Sequence, residues 1–424
     1  MDGKALYQNS LSLLIYRDVL NDTIVSSFLT AMQNLDRPEI AIASYSEWFS
    51  RLANLRQGWR DYLLTRILTS ENAFTQQVHQ NEIPNELLEA VKHDLRILQQ
   101  IYQYGSHQFC EQINQRTVPW CDYINDIKSN FRQTQIRQIQ KQLESLEDWS
   151  IALPDLIAFY RRFGTGIFAE SAAFRWQNGQ LSAIAHPDPI QVDTLVGYET
   201  QRDTLLRNTE FLLAGLPALH ILLYGSRGSG KSSLVKSLLG KYENLRLIEV
   251  AKSELSALSM IVERLRDLPQ KFVIFVDDLS FEEDDDAYKA LKVVLEGNLT
   301  ARPPNVVVYA TSNRRHLVRE FFDDRPRPKD ADEVHQWDTV QEKLSFSDRF
   351  GLTLTFEPAD QPTYLKIVHH LAQQAQIKLS SEDLEFRALQ WATRHNGRSG
   401  RTARQFIDFL KADLEISERL SIDL

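Results

Sequence analysis

Residues 221–232, ILLYGSRGSGKS, constrain the fold more than any other stretch of the chain. Ile221-Leu222-Leu223-Tyr224 is a short apolar run bounded by glycine, the pattern of a strand buried on both faces of a parallel sheet. The residues after it, Gly225-Ser226-Arg227-Gly228-Ser229-Gly230-Lys231-Ser232, fit G-x-x-x-x-G-K-[ST] without a mismatch. Ser233 and the apolar residues that follow begin a helix. Strand, glycine loop and helix in that order are the context of a P-loop, which a chance glycine-rich turn does not reproduce.

The chemistry accounts for each residue type. A helix N-terminus offers free N–H donors and the positive end of a dipole to an anion. Glycines let the backbone curl around phosphates with no Cβ in the way. Lys231 has the reach to meet the β- and γ-phosphates of a nucleoside triphosphate, and Ser232 can turn its hydroxyl to Mg²⁺.

At 424 residues the chain exceeds one ordinary core, so about two or three domains are expected. With 43% hydrophobic and 25% charged residues, long disordered stretches are not expected. A net charge of -9 gives no global attraction to nucleic acid or an anionic membrane, which leaves only a local basic groove open. Cys110 and Cys121 form no CxxC pair and have no histidine cluster beside them, which argues against a structural zinc site and for a reducing compartment. The first residues, MDGKALYQNSLSLLIYRDVL, read as an amphipathic helix rather than a signal peptide. The stretch from Phe211 to Tyr224 contains Gly215, Pro217 and His220 and is too short to span a bilayer. The expectation is a cytoplasmic protein with no membrane partner.

The spacing divides the chain into four parts. Residues 1–163 read as a helical N-terminal domain. Leu88, Val91, Leu95, Leu98 and Tyr102 recur at helical spacing between Pro84 and Gly105. Ile136, Ile139, Leu143 and Leu146 repeat in steps of three and four, as in a bundle helix or a short coiled-coil seam; the repeat is too short to favour the seam. Residues 164–195 read as a hairpin and linker, with Asn178-Gly179 as the turn and His186-Pro-Asp-Pro189 as the break. Residues 196–357 alternate strand and helix, with strands at His220–Tyr224, Leu245–Val250, Phe272–Asp277, Val306–Thr311 and Leu352–Phe356. This predicts an α/β fold with a five-stranded parallel core. Residues 358–424 read as a small helical lid, opened by Pro362, capped again at Ser380 and broken at Gly397.

Two strand ends add chemistry to the loop. The apolar run Lys271–Val276 ends in Asp277 and Asp278, and sites in open α/β sheets form at the carboxyl ends of strands. Asp277 fits the Mg²⁺ carboxylate and Asp278 the group that polarises an attacking water. A solvated acidic turn is the competing reading; it suits Glu282, Glu283, Asp284, Asp285 and Asp286 better than a pair ending an apolar strand. Val306–Thr311 runs on to Asn313, placed to hold the γ-phosphate or the lytic water, although an Asn after a strand is commonly a turn residue.

Taken together, these residues resemble the AAA+ ATPases from about Val196 to Leu424. GSRGSGKS and VIFVDD look like Walker A and Walker B, and ATSN looks like sensor 1. The resemblance implies ATP as the nucleotide. It implies that Val196 and Gly197, in the entry segment, lie near the adenine, and that Arg227, Ser229 and Ser233 join the phosphate loop. Ser347-Asp348-Arg349-Phe350-Gly351 looks like the arginine-finger box, so Arg349 is expected to serve a neighbouring subunit in a homo-oligomer, as a ring or an open assembly. Gly400-Arg401 looks like sensor 2, with Arg404 as the alternative to Arg401. The Asp-Asp form of Walker B departs from the commoner Asp-Glu and implies slow hydrolysis. With Leu295-Glu-Gly-Asn298 and the SDRFGL box, it is similar to bacterial replication initiators and helicase loaders. ATSNRRHL, SDRFGLTLTF and SGRTARQF look closer still to a bacterial family of uncharacterised predicted AAA+ ATPases with a helical N-terminal region.

Arg314, Arg315, Arg325-Pro-Arg-Pro-Lys329 and the lid arginines 394, 398, 401 and 404 form basic clusters. With no helix-turn-helix or zinc motif beside them, facing the nucleotide or pairing with nearby acids is the favoured role, and nucleic acid is not the favoured partner. Three cellular tasks fit: an ATPase that remodels or regulates a protein partner, an initiator- or loader-type factor in DNA metabolism, or a non-hydrolysing nucleotide switch.

Overall fold

The computed structural model of the chain describes residues 2–78, 82–114, 116–120, 131–281, 286–296, 302–313, 346–395 and 397–422. The chain divides into two units, Met1–Ser171 and Ala172–Leu424.

The first unit is built from helices packed on one apolar core. Helix Pro38–Leu55 starts on a proline whose missing N–H costs nothing in a first turn, and it buries Ala41, Tyr45, Trp48 and Leu52 on one stripe. Phe28 lies against Trp48 and Trp59 at ring-centroid distances of 5.2 and 4.5 Å. Helix Asn85–Gln103 buries Val91, Leu95 and Leu98 as its spacing predicts. It also buries Asp94, whose carboxylate accepts the N–H groups of Leu14, Ile15 and Tyr16 and so satisfies a charge that burial otherwise penalises. Leu143 is buried in this core, with Ile136, Ile139 and Leu146 packed against it, so the stretch is a bundle helix.

The second unit holds a seven-stranded sheet among the described residues, in the order β2-β1-β4-β5-β6-β3-β7. The strands are β1 (Ala173–Gln177), β2 (Gln180–Ala183), β3 (Ile221–Gly225), β4 (Leu245–Val250), β5 (Lys271–Val276), β6 (Val306–Ser312) and β7 (Leu352–Phe356). The expected five-stranded parallel core is corrected on two counts. The Asn178-Gly179 hairpin joins the sheet instead of preceding it, and it makes the sheet mixed. β1 runs parallel to β4, with Ala173 opposite Leu247, while β1 and β2 are antiparallel. The physical reason is in β1 itself. Phe174 and Trp176 are buried and Arg175 and Gln177 exposed, a period-2 face that fits beside β4. Arg175 reaches Glu249 on β4 at 2.7 Å. The hairpin covers what would otherwise be a bare edge of an apolar strand. Asn178 and Gly179 have φ of 52° and 76°, as a two-residue turn matching the strand twist requires.

The other five strands fall within a residue of the predicted spans and pair in parallel. From Phe272 to Val276 every β5 residue is fully buried, as a central parallel strand must be. Helices Glu199–Leu213 and Lys231–Lys241 cover one face with Leu205, Leu212, Leu234 and Leu238. Helices Gln361–Gln374, Ser381–Arg394 and Gly400–Ile422 form the lid around Tyr364, Val368, Ala388 and Phe406. Pro362 sits in the first turn and Ser380 accepts from Asp383, as predicted; the cap before Pro362 is Asp360, which accepts from Thr363. No helix among the described residues is long and apolar enough to cross a membrane.

Candidate functional site

β3 lies between β6 and β7, so its carboxyl end sits where the chain order along the sheet reverses. Gly225 closes β3 at φ 133°, and a Cβ there would lie 2.0 Å from the Phe356 carbonyl oxygen on β7. The same oxygen accepts the Ser226 N–H at 2.8 Å, which fixes where the loop departs. Gly228 and Gly230 are also left-handed, and Gly230 caps helix Lys231–Lys241.

Lys231 is 6% exposed. Its ammonium donates to the carbonyls of Gly225 at 3.0 Å and Ser226 at 2.7 Å, and to Asn313 Oδ1 at 3.3 Å. Burial pushes its pKa below the ordinary lysine value; Asp277 and Asp278 pull it up, and Arg401 pushes it further down. Ser232 Oγ donates to Asp277 Oδ1 at 2.6 Å, and Asn313 Nδ2 donates to Asp278 Oδ1 at 2.6 Å. Asp278 itself has φ 51°, a left-handed backbone uncommon outside glycine.

These groups line a cleft of about 1020 Å³. Of the predicted residues, Val196, Arg227, Gly228, Ser229, Gly230, Lys231, Ser232, Ser233, Asp277, Asp278, Asn313, Arg401 and Arg404 line it. Gly225 and Ser226 act from behind through their carbonyls. Gly197 faces the lid instead: at φ 98°, its Cβ would meet Thr363 at 2.7 Å. Next to it, Glu199 takes the Lys366 ammonium at 2.7 Å, and that hydrogen bond, against some desolvation, holds the Glu199 carboxyl down at about 2. At the far end of the lid, the Arg401 N–H donates to the Gly228 carbonyl at 3.0 Å. Arg398 turns to Gln361.

Arg349 is not at the cleft. It lies in the turn Phe346–Arg349 before β7 and pairs with Glu296, at the end of helix Asp286–Glu296. The acids Glu282, Glu283, Asp284 and Asp285 and the basic residues Arg314, Arg315 and 325–329 lie outside the described residues.

Sequence reasoning missed three groups. Thr311 bonds both Asp277 and Asp278; its signal was available, since alternation puts Thr311 and Asn313 on one face of β6. Tyr198, Ile367 and Leu371 give the cleft an apolar end, and Asp188, Pro189, Ile190 and Gln191 form a wall that no local pattern announces.

The arrangement suits a polyanion. Arg202, Arg227, Lys231, Arg401 and Arg404 outnumber Asp188, Asp277 and Asp278 along the wall. Among the described residues no three His, Cys, Asp or Glu side chains gather as a protein-only metal cage requires. The Ser232–Asp277 pair fits Mg²⁺, which prefers few oxygen ligands from protein and the rest from water and phosphate. The Ser232 proton goes to Asp277, which leaves its lone pairs for a cation.

Residues 169–414, more than half of the chain, match the model of a family described as "Protein of unknown function (DUF815)". No curated protein matches. Among solved structures, the Thermotoga maritima RuvB Holliday junction branch migration motor is similar at a TM-score of 0.39 and 14% identity, over 54% of this chain and 67% of that one. Two single-residue variants of that protein are similar at 15% identity and a TM-score of 0.39, covering 54% of this chain and 67% and 68% of theirs.

Proposed function

The chain belongs to the DUF815 family, and from that premise we propose that it is an AAA+ ATPase that binds ATP with Mg²⁺ and hydrolyses it slowly to remodel or regulate a protein partner. The observation that carries the reading is the hydrogen-bonded set at the head of helix Lys231–Lys241, where Lys231, Ser232, Asp277, Asp278 and Asn313 meet in one cleft. The adenine takes the apolar end beside Val196 and Gly197. The N–H groups from Arg227 to Ser233 and the Lys231 ammonium hold the phosphates, with Gly225 and Ser226 setting where the loop departs. Ser232 and Asp277 hold Mg²⁺, which when bound neutralises charge on the β- and γ-phosphates. Asp278 orients and polarises the attacking water, Asn313 steadies it or the γ-phosphate, and Arg401 closes the lid on the phosphates, with Arg404 beside it. The shorter reach of Asp278 compared with glutamate supports slow turnover.

We place the protein in the cytoplasm, with residues 1–163 as the partner-recognition domain, 164–195 as the hairpin that adds β1 and β2 to the sheet and the linker after it, 196–357 as the rest of the core and 358–424 as the lid. The test is Asp278→Asn. The variant is expected to keep Mg·ATP affinity within a few-fold and to lose roughly 10²–10⁴-fold in hydrolysis rate. Wild-type turnover by the variant makes Asp278 structural.

In the same reading Arg349 is an arginine finger acting on a neighbouring subunit, which supports a homo-oligomer. Its exchange of Glu296 for phosphate would accompany assembly. Arg349→Ala and Lys231→Ala are each expected to be inactive alone. Mixed, the Lys231→Ala subunit lends its Arg349 to a subunit that still binds ATP, and activity returns in part, steeply with protein concentration. A finger supplied in trans raises hydrolysis by roughly 10³–10⁵-fold. Full activity of Arg349→Ala by itself removes the finger.

A further inference from the structure

Thr311 is a fully enclosed hydroxyl at the carboxyl end of β6, 2% exposed, between β5 and β3. Its proton goes to Asp277 Oδ1 at 2.5 Å, and its oxygen accepts the Asp278 N–H at 2.9 Å. One side chain thus binds both acids, one through its carboxylate and the other through its backbone. We infer that Thr311 is the positioning residue of the two carboxylates: it sets the Asp277 carboxylate toward the cation and holds Asp278 in the turn from which it meets water.

The geometry supports each half. Oδ1 of Asp277 receives two donors, Ser232 Oγ and Thr311 Oγ1, from two different elements. Two donors on one oxygen fix the carboxylate plane and leave Oδ2 with no hydrogen bond among the described residues. Oδ2 is then the oxygen left to accept from a hard cation or from its water. The second half concerns the backbone. Asp278 at φ 51° stands where a non-glycine residue is strained by about 1–3 kcal/mol, so its surroundings must impose it. They do so from β6. Besides the Asp278 bond, Thr311 O accepts from Leu279 N at 2.7 Å, and Ser312 Oγ donates to Leu279 O at 2.8 Å. Among the described residues the hydroxyl is the only side-chain partner of the strained residue's own N–H. A β-branched residue with a hydroxyl suits both the strand and the double bond; valine has the shape and neither contact.

The inference rests on the ATPase reading and is tested with the full-length protein. A non-hydrolysable ATP analogue is titrated calorimetrically with Mg²⁺ and again with EDTA, and hydrolysis of ATP is followed in single turnover. In Thr311→Val the gain in affinity that Mg²⁺ gives the wild type is expected to fall by roughly 10–100-fold, with metal-free affinity unchanged, as when a group orienting a metal ligand is lost. Amide exchange over 277–279 should speed up in the variant without nucleotide. Thr311→Ser, which keeps the hydroxyl, is expected to restore the Mg²⁺ gain and most of the turnover. Thr311→Ala reads the same loss if the valine variant does not fold. An Mg²⁺ gain equal to the wild type's in the valine and alanine variants overturns the inference, as does a serine variant as impaired as valine. A wild type that binds no nucleotide overturns the ATPase reading, and the inference falls with it.

Discussion

Lys231→Ala is expected to remove ATP binding from an otherwise folded protein. The ammonium is nearly enclosed and already aimed at the loop, where it donates to the Gly225 and Ser226 carbonyls and to Asn313. Burial lowers its pKa by penalising the charged form, and a polyanion in the cleft offsets that penalty. Hydrogen bonds to a charged partner contribute about 1.5–3 kcal/mol each. Losing two of them to phosphate oxygens weakens binding by roughly 10²–10⁴-fold. The side effect on stability is smaller, because Gly225 and Ser226 are only half-buried and water can reach the carbonyls left behind. Titration calorimetry with Mg·ATP decides the matter, alongside a melt of the variant. An unchanged affinity would falsify the phosphate-binding role of the loop.

Gly225→Ala is expected to do something different and just as large, by preventing the second unit from folding. A methyl at Gly225 lies 2.0 Å from Phe356 O, 2.7 Å from its carbonyl carbon and 2.9 Å from its nitrogen. All three are backbone atoms, so no side chain can swing aside. The position also has φ 133°, which an alanine adopts only under strain. Relief requires β7 to part from β3, where Gly225 pairs with Phe356 and Ser226 takes the same carbonyl. Overlap of this kind, with the ladder broken, belongs to the rare substitutions that cost more than about 4–5 kcal/mol. Limited proteolysis should digest Ala172–Leu424 while the aromatic core of Met1–Ser171 resists. A variant melting within about 2 °C of the wild type would show that the strand edge yields at little cost.

How much of this was readable beforehand follows the range of the interaction involved. The loop 225–232, the lid cap at Ser380 and the apolar runs of β4, β5 and β6 are written in neighbouring residues, and local pattern recovers them. The hairpin at Asn178-Gly179 was equally legible, but its partner was not. That Ala173 lies opposite Leu247 is a pairing across a long stretch of chain, and β1 alone does not reveal which edge it will cover. The same limit explains the site. Lys231, Asp277 and Asn313 each end a legible element, so their convergence follows from the sheet. The placement of Asp188–Gln191 beside them depends on how an irregular segment is laid over the sheet. The left-handed turn at Asp278 was hidden for another reason: aspartate tolerates that backbone without demanding it, and bonds from Thr311 and Asn313 hold it there.

The lid is gripped at its base by Glu199–Lys366 and at its tip by the bond from Arg401 N–H to Gly228 O. That last bond joins two things usually treated apart, the tilt of a helix and the shape of a loop. Free energies joined in this way are reciprocal. If filling the cleft draws Gly228 away and releases the tip by some factor, a protein that seizes the lid and releases the tip changes the grip on whatever fills the cleft by that same factor. Couplings between sites commonly amount to about 1–3 kcal/mol, or roughly 5–150-fold. On that condition a partner would load or empty the cleft from outside, touching only the surface of the lid.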